Sequence, residues 1–163
     1  MTSRISRRDF LEHGSAVLGA AVLPDPLKAA PADIRVPNSS GTARPRLRAP
    51  ANACDCHMHI YDPARFPMPP SQRVAPANAT VAEYRLLQQR IGTTRVVVVQ
   101  PRNYAVDNRV TVDAIAQLAP NARGVAVLHP TVTDAQLKAL NDAGFRGIRF
   151  SLGDPATAVV TPD

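Results

Sequence analysis

Length, composition and charge narrow the class of protein. The chain has 163 residues, of which 45% are apolar, and this is enough for one domain with a hydrophobic core. Its formal net charge of +6 is concentrated in residues 1–50, which carry eight Lys or Arg and four Asp or Glu. Because residues 51–163 contain no basic run interleaved with aromatic residues, the composition argues against nucleic-acid binding.

The N-terminal segment has the parts of an export signal. The twin-arginine motif SRRDFL (6–11) precedes a short apolar stretch (14–24), and Ala30-Pro31-Ala32 offers a small-residue cleavage site. The apolar stretch is shorter than the roughly 20 residues of a membrane-spanning helix. We therefore predict a Tat-type signal peptide over residues 1–32, a periplasmic location, and no stable membrane anchor after cleavage. The alternative is an amphipathic N-terminal helix that stays attached.

Residues 33–50 and residues 51–163 differ in composition and in their pattern of apolar residues. The segment 33–50 is rich in Pro, Ser and Arg, and it is predicted to be a flexible linker. Residues 51–163 alternate between strand and helix patterns. The predicted strands are ACDCHMHIYD (53–62), RVVVVQ (95–100), GVAVLH (124–129) and RGIRFS (146–151).

The predicted helices lie between these strands. Thr80-x-x-Glu83 and Thr133-x-x-Gln136 have the pattern of a capping box, and each is followed by a helix that ends at a glycine, Gly92 or Gly144. Another helix is predicted from about residue 108 to 118, where apolar residues recur at helical spacing.

The order of elements predicts a parallel α/β fold. Two architectures fit it, an open doubly wound sheet and the first half of a (β/α)8 TIM barrel with about four parallel strands. Polar residues at the strand ends favour the barrel, whose chemistry lies at the carboxyl ends of its strands, and no glycine-rich phosphate loop follows the first strand. A whole barrel needs roughly 250 residues, and residues 51–163 supply 113. We therefore predict the N-terminal half of a barrel.

The first strand, ACDCHMHIYD, concentrates residues that can bind metal. Strict alternation predicts one set of side chains facing the barrel interior and the other packed against the helices. The interior set is Asp55, His57 and His59, and the helix-facing set is Cys54, Cys56, Met58 and Ile60. Two histidines can ligate one cation, but catalytic zinc typically has three protein ligands. The third histidine of the body, His129, is interpreted as a packed or turn residue rather than a ligand.

The two cysteines are predicted to be free, buried thiols. Two residues of extended chain separate their Cα atoms by roughly 6.6 Å, near the upper limit of about 6.8 Å for a disulfide. A bridge between Cys54 and Cys56 would also bend the strand.

Four segments together resemble the amidohydrolase superfamily. They are DCHMHIYDP (55–63), VVVVQPRNYAVDN (96–108), RGVAVLHP (123–130) and DAGFRGIRFSL (142–152). They are most similar to its branch of lactone-acting enzymes, which includes 2-pyrone-4,6-dicarboxylate lactonase and galactarolactone isomerase. The resemblance covers about residues 53–152.

The resemblance implies a distorted (β/α)8 barrel with a His-x-His pair at the end of its first strand. By motif, His57 and His59 are the catalytic pair, and they would be metal ligands if zinc or another divalent ion is used. The resemblance implies that in the lactonase-like branch activity can proceed without metal, and there the histidines are expected to polarise the lactone carbonyl. Arg149 and Gln100 are implied to bind substrate. The Asp107-Asn108 step is interpreted as a cap of the following helix.

These implications give a functional hypothesis. We expect a hydrolase that acts on a small-molecule lactone or cyclic ester bearing carboxylates. The later strands, with a further histidine and an aspartate that activates water, are absent, so the 163-residue chain itself is expected not to catalyse. The alternatives are a sugar-acid lactone isomerase, a metal-dependent decarboxylase, and a non-catalytic half-barrel that forms a homo-oligomer.

Overall fold

A parallel four-stranded sheet forms the centre of the chain in a computed structural model that describes residues 34–69 and 78–150. The predicted signal peptide and the tail beyond residue 150 lie outside the described residues. The elements in chain order are β1 (Cys54–Met58), α1 (Val81–Ile91), β2 (Arg95–Val99), a 3-10 turn (Arg102–Tyr104), α2 (Arg109–Leu118), β3 (Ala122–Ala126), α3 (Asp134–Asp142) and β4 (Phe145–Ile148).

The strand order distinguishes between the two predicted architectures. The strands are hydrogen-bonded in the sequential order β1-β2-β3-β4, and every neighbouring pair is parallel. A doubly wound sheet reverses its strand order at a switch point, whereas a (β/α)8 barrel adds each strand beside the one before it. The described fold is therefore that of the first half of a (β/α)8 barrel, as predicted.

The helix boundaries follow from local hydrogen bonding. Thr80 and Glu83 form a complete capping box at the start of α1, and Thr133 and Gln136 form another at the start of α3. Helix α1 ends at Gly92, which has the left-handed φ of 81° that glycine adopts at low cost. Both capping-box predictions are confirmed.

The core lies between the sheet and the helices. Side chains of β2, β3 and β4 pack on α2, and the central members of this cluster are Val96, Val98, Ala122, Ala126, Phe145, Ala114, Ile115 and Leu118. The opposite, inner face of the sheet is less covered, with Arg95 and Arg123 exposed and Val97 and Val125 half-buried. This inner face corresponds to the interior of a closed barrel.

Strand β3 lies earlier in the chain than predicted. It pairs with β2 through Val96–Ala122 to Val99–Val125 and ends at Ala126, whereas the sequence predicted residues 124–129. Beyond Ala126 the backbone N–H of Val127 donates to the side-chain oxygen of Asn108 at 3.1 Å instead of to a strand. Val127 is thus buried although it lies beyond the strand, and for this reason the apolar run in the sequence is longer than β3.

A bulge in β1 changes the predicted faces. Asp55 pairs with Val96 and Met58 pairs with Val98, so three residues of β1 span two of β2. Asp55 therefore lies on the helix side, where its Oδ2 accepts a hydrogen bond from the hydroxyl of Tyr84 in α1 at 3.0 Å. The prediction that Asp55 faces the interior was wrong. Strict alternation failed because the extra residue in the bulge moves the side chains that precede it to the opposite face of the sheet.

The same bulge explains the cysteines. Cys54 is half-buried, Cys56 is exposed, and both are free thiols. The absence of a bridge agrees with the prediction, but the prediction that both are buried against the helix layer was wrong. Met58 and Ile60, which follow the bulge, do pack with the core as predicted.

Part of the segment that was predicted to be a flexible linker packs against α1. Arg90, near the end of α1, is only 6% exposed and donates hydrogen bonds to the carbonyls of Ile34 and Gly41 and to the hydroxyl of Ser39. Val36 is buried as well. We call residues 34–41 the strap. Among the described residues, none of the helices is both long and apolar enough to cross a membrane.

Candidate functional site

Two histidines lie together on the inner face. His59 follows Met58, whose side chain packs with the core, so it lies on the opposite face, and the ring of His57 lies against it. Their ring centroids are 5.1 Å apart and the rings meet edge to face, with an interplanar angle of 81°. His57 is exposed and His59 is half-buried, so the two imidazoles have different surroundings.

The orientation of His59 is set by the end of β2. Its Nδ1 lies 2.7 Å from the carbonyl oxygen of Val99. A carbonyl can only accept a hydrogen bond, so Nδ1 carries the proton and Nε2 of the neutral ring is left as an acceptor. Burial lowers the pKa of His59, and the charges of His57 and Arg149 lower it further, against the opposing hydrogen bond to Val99. The site thus favours a neutral imidazole whose free nitrogen can bind a proton or a metal ion.

Arg149 reaches the same edge of the sheet from β4. Its Nη1 donates to the carbonyl oxygen of Gln100 at 3.2 Å, and its backbone N–H donates to Ala126 at 2.8 Å. Nδ1 of His59 and Nη1 of Arg149 contact the carbonyl oxygens of two consecutive residues, Val99 and Gln100, so the guanidinium lies near the histidine pair. A half-buried guanidinium beside an open inner face is suited to binding a carboxylate.

Tyr61 lies beside His59 and was not predicted to be a site residue. Its ring centroid lies 6.2 Å from that of His59, and its hydroxyl donates to Oδ1 of Asn103 at 3.3 Å. Burial raises the pKa of Tyr61, while the nearby charges of Arg149 and Arg102 oppose that rise. The available signal was alternation, because residue 61 continues the spacing of residues 57 and 59. We call His57, His59, Tyr61 and Arg149 the inner-face site.

Gln100 does not present its side chain to this site. The side chain is fully buried: Nε2 donates to the carbonyls of Ala105 at 3.2 Å and Asp107 at 2.8 Å, and Oε1 accepts from the hydroxyl of Thr111 at 2.6 Å. All of its hydrogen-bonding groups have protein partners on the helix side. The prediction that Gln100 binds substrate does not fit this arrangement, because its side chain faces the helices.

His129 also lies apart from the histidine pair. It is exposed, and its Nδ1 lies 2.8 Å from the hydroxyl of Thr131 in the turn after β3, as expected for a turn histidine. It borders a cleft of about 600 Å³ between α2 and α3, and neither His57, His59 nor Arg149 lines that cleft.

The side chains of the described residues do not form a complete metal site. Within residues 34–69 and 78–150, no group of three or more His, Cys, Asp or Glu side chains is placed to hold one. Since His59 keeps Nε2 free, His57 and His59 could supply two imidazole ligands, but two ligands do not make a catalytic zinc site. We therefore derive no chemical step through a metal.

Comparison with known proteins gives a consistent family. Residues 54–161 match the family model described as Amidohydrolase. The chain is 39% identical over 110 residues to a 2-pyrone-4,6-dicarbaxylate hydrolase of Comamonas testosteroni, covering 67% of this chain and 36% of that protein. It is 33% identical over 113 residues to a D-galactarolactone isomerase of Agrobacterium fabrum, covering 68% and 38%. The chain thus spans little more than a third of the length of these relatives.

A solved structure agrees. It is the crystal structure of a probable 2-pyrone-4,6-dicarboxylic acid hydrolase from Acinetobacter baumannii with citric acid bound. It is 27% identical and matches with a TM-score of 0.58, over 65% of this chain and 43% of that one.

Proposed function

This chain belongs to the amidohydrolase family, and from that premise we propose that it carries part of the active site of a hydrolase that acts on a carboxylate-bearing lactone. Its relatives include a hydrolase of a pyrone dicarboxylate and an isomerase of a sugar-acid lactone, so a lactone is common to both. The observation that carries the proposal is the inner-face site, where Arg149 and His59 are held by consecutive carbonyls and the ring of His57 lies against that of His59.

The reaction proposed is attack of water on the ring carbonyl. The oxygen of water bonds to the carbonyl carbon, and the bond from that carbon to the ring oxygen breaks. One proton of water ends on the leaving ring oxygen, so the product is an open-chain hydroxy or keto acid with one new carboxyl group. Such a reaction is accelerated by donors fixed around the developing oxyanion and by a group that holds the substrate in place.

The residues of the inner-face site are suited to different parts of this task. Arg149, held by the carbonyl of Gln100, binds a substrate carboxylate. His57 is exposed and polarises the lactone carbonyl when it donates a hydrogen bond. His59, with its proton on Nδ1, accepts a hydrogen bond through Nε2 from water or from the substrate.

Binding of a carboxylate-bearing lactone tests this proposal. The probe is 2-pyrone-4,6-dicarboxylate, titrated into the purified chain and followed by calorimetry. Replacing Arg149 by Gln should weaken binding by roughly 10- to 100-fold, the effect of losing a charge-assisted hydrogen bond. Arg146 is the matched control, because it lies in β4, three residues before Arg149, but bonds to Asn141 at the end of α3. Equal affinities of R149Q, R146Q and the unmodified chain would refute the proposed carboxylate site.

We also propose that the 163-residue chain binds its ligand without turning it over. The charged groups acting on His59 are His57 and Arg149, and neither is a carboxylate that could activate water. The acidic residues on either side of the pair are engaged elsewhere: Asp55 is bonded to Tyr84 on the helix side, and Asp62 pairs with Arg65. Multiple turnovers by the purified chain, seen as loss of the pyrone absorbance, would contradict this.

An isomerase is the second candidate, favoured by the likeness to the galactarolactone isomerase. In that reaction a substrate hydroxyl, rather than water, attacks the carbonyl, and the mass of the lactone is unchanged. Mass spectrometry of the product formed from a sugar-acid lactone separates the two, since hydrolysis adds one water.

A non-catalytic assembly is the third candidate, and the open sheet favours it. Within the described residues β1 and β4 are edge strands, and Ile148 and Phe150 beside β4 are 49% and 59% exposed. Unpaired edges of this kind recruit further strands. This candidate requires a soluble dimer in sedimentation velocity, and a monomer would exclude it.

We propose export through the Tat pathway to the periplasm, supported by the twin-arginine motif, the short apolar stretch and the small-residue site in residues 6–32. Replacing Arg7 and Arg8 by Lys should abolish export of a fused reporter. Unchanged export would refute the assignment.

A further inference from the structure

We propose that Gln100 is a positioning residue, which holds the end of β2 so that two consecutive carbonyls orient His59 and Arg149. The inference deepens the proposed function and rests on the inner-face site being the ligand site. It concerns a side chain that faces away from that site and acts through the backbone.

The two carbonyls are the starting observation. Val99 O accepts from Nδ1 of His59 at 2.7 Å, and Gln100 O accepts from Nη1 of Arg149 at 3.2 Å. His59 follows β1 and Arg149 follows β4, so neighbouring peptide groups of β2 hold side chains that come from both edges of the sheet. Any rotation of these peptides would move both side chains together.

The side chain of Gln100 is the group that resists such rotation. Its amide joins the end of β2 to Ala105 and Asp107 in the following loop, and to Thr111 in the first half of α2. Its backbone N–H is also fixed, by a hydrogen bond of 2.9 Å to Val125 of β3. Because the side chain is fully buried, breaking these bonds leaves buried polar groups without partners, which is costly.

The loop that Gln100 holds has a backbone that needs such support. Ala105 adopts φ 46° and ψ −126°, a region that residues with a side chain rarely occupy. A hydrogen bond from Gln100 to the carbonyl of that same residue helps to keep it there. Without the bond, the loop is free to relax and to take the end of β2 with it.

Asn108 provides a matched control within the same loop. It is another buried amide, and it bonds to the carbonyls of Val106 and Val127 and to the N–H of Val127. It therefore fixes the end of β3 in the way that Gln100 fixes the end of β2. However, it has no bond to the residues whose carbonyls hold His59 and Arg149.

The test reads the tautomer of His59 directly. The chain is labelled with ¹⁵N-histidine, freed of metal with a chelator, and studied at about pH 8, where a neutral imidazole is expected. In the unmodified chain the proton of His59 is expected on Nδ1. In Gln100→Met the ratio of tautomers should move toward that of the exposed His57 and His129 by roughly 2- to 10-fold, the effect of one net hydrogen bond.

Asn108→Leu should lower stability to a similar extent and leave the tautomer of His59 unchanged. If Gln100→Met does not fold, Thr111→Val removes only the bond to Oε1 and should give a smaller shift in the same direction. The inference is overturned if the tautomer of His59 is unchanged in the folded Gln100 or Thr111 variant, or if Asn108→Leu shifts it equally. No substrate enters this reading, so a shift without any carboxylate binding would refute the proposed function and leave the positioning role intact.

Discussion

Among the glycines that the structure describes, Gly124 in β3 has the least room for a side chain. A Cβ atom placed there would lie 2.5 Å from Cδ1 of Ile115 and 2.8 Å from Cδ1 of Phe145. Both neighbours are 5% exposed and belong to the core, so neither has open space to move into. We predict that Gly124→Ala destabilises the chain by forcing α2 away from the sheet.

The magnitude follows from two opposing effects. An added methyl in a filled core costs about 1–3 kcal/mol. Alanine in place of glycine lowers the entropy of the unfolded chain and favours the strand by about 0.5–1 kcal/mol. The net expected loss in the free energy of unfolding is therefore about 0–2.5 kcal/mol, measured by urea denaturation of the purified chain.

A second substitution tests the cause. Ile115→Val removes the Cδ1 atom that would clash, at a cost of about 0.5–1.5 kcal/mol by itself. In the double variant the two losses should not add, and a coupling energy of about 0.5–1 kcal/mol is expected between them. Gly147→Ala is the control, because its Cβ would meet nothing closer than Val125 at 3.4 Å. Additive losses, or a Gly124→Ala variant more stable than the unmodified chain, would refute the argument.

Three further predictions concern individual residues. Ala105→Gly should leave the free energy of unfolding unchanged or raise it by up to about 1 kcal/mol, because φ 46° suits glycine; a large loss in a urea titration would contradict this. Tyr84→Phe should cost about 1–2 kcal/mol, since it leaves the carboxylate of Asp55 without its hydroxyl donor, and a Tm equal to that of the unmodified chain would exclude it. The pKa of His59 is lower in the folded chain than in the unfolded chain, so the unfolded chain binds the proton more readily. The free energy of unfolding should therefore be highest above pH 6.5 and decrease as the pH falls below that value. His59→Asn should flatten that part of the stability profile, and an equally steep fall in both proteins would contradict the assignment.

The sequence predicted the order of elements because the signals were local. The capping boxes at Thr80 and Thr133 depend on residues three apart, and the apolar run Arg95–Val99 needs no knowledge of the rest of the chain. The sequential strand order then follows from the general preference for neighbouring, right-handed crossovers.

The side-chain directions at the site were harder to predict. The bulge between Asp55 and Met58 depends on pairing with β2, and the sequence of β1 contains no local signal that predicts it. Gln100 comes directly after β2, where alternation no longer applies, and its direction is decided by carbonyls of a loop five to seven residues further on. His59 and Tyr61 both follow the bulge, where alternation holds again, but only His59 was singled out from the sequence.

The strap has a consequence for how the protein responds to its surroundings. Arg90 is held by two carbonyls and one hydroxyl, and none of the salt bridges found among the described residues involves it. A guanidinium keeps its charge throughout the pH range in which proteins fold, and neutral acceptors neither titrate nor attract counterions. Added salt weakens exposed ion pairs such as that of Lys138 and Asp142. It has little effect on the hydrogen bonds of the buried Arg90 to neutral acceptors. The contacts between the strap and α1 should therefore persist when pH and ionic strength change.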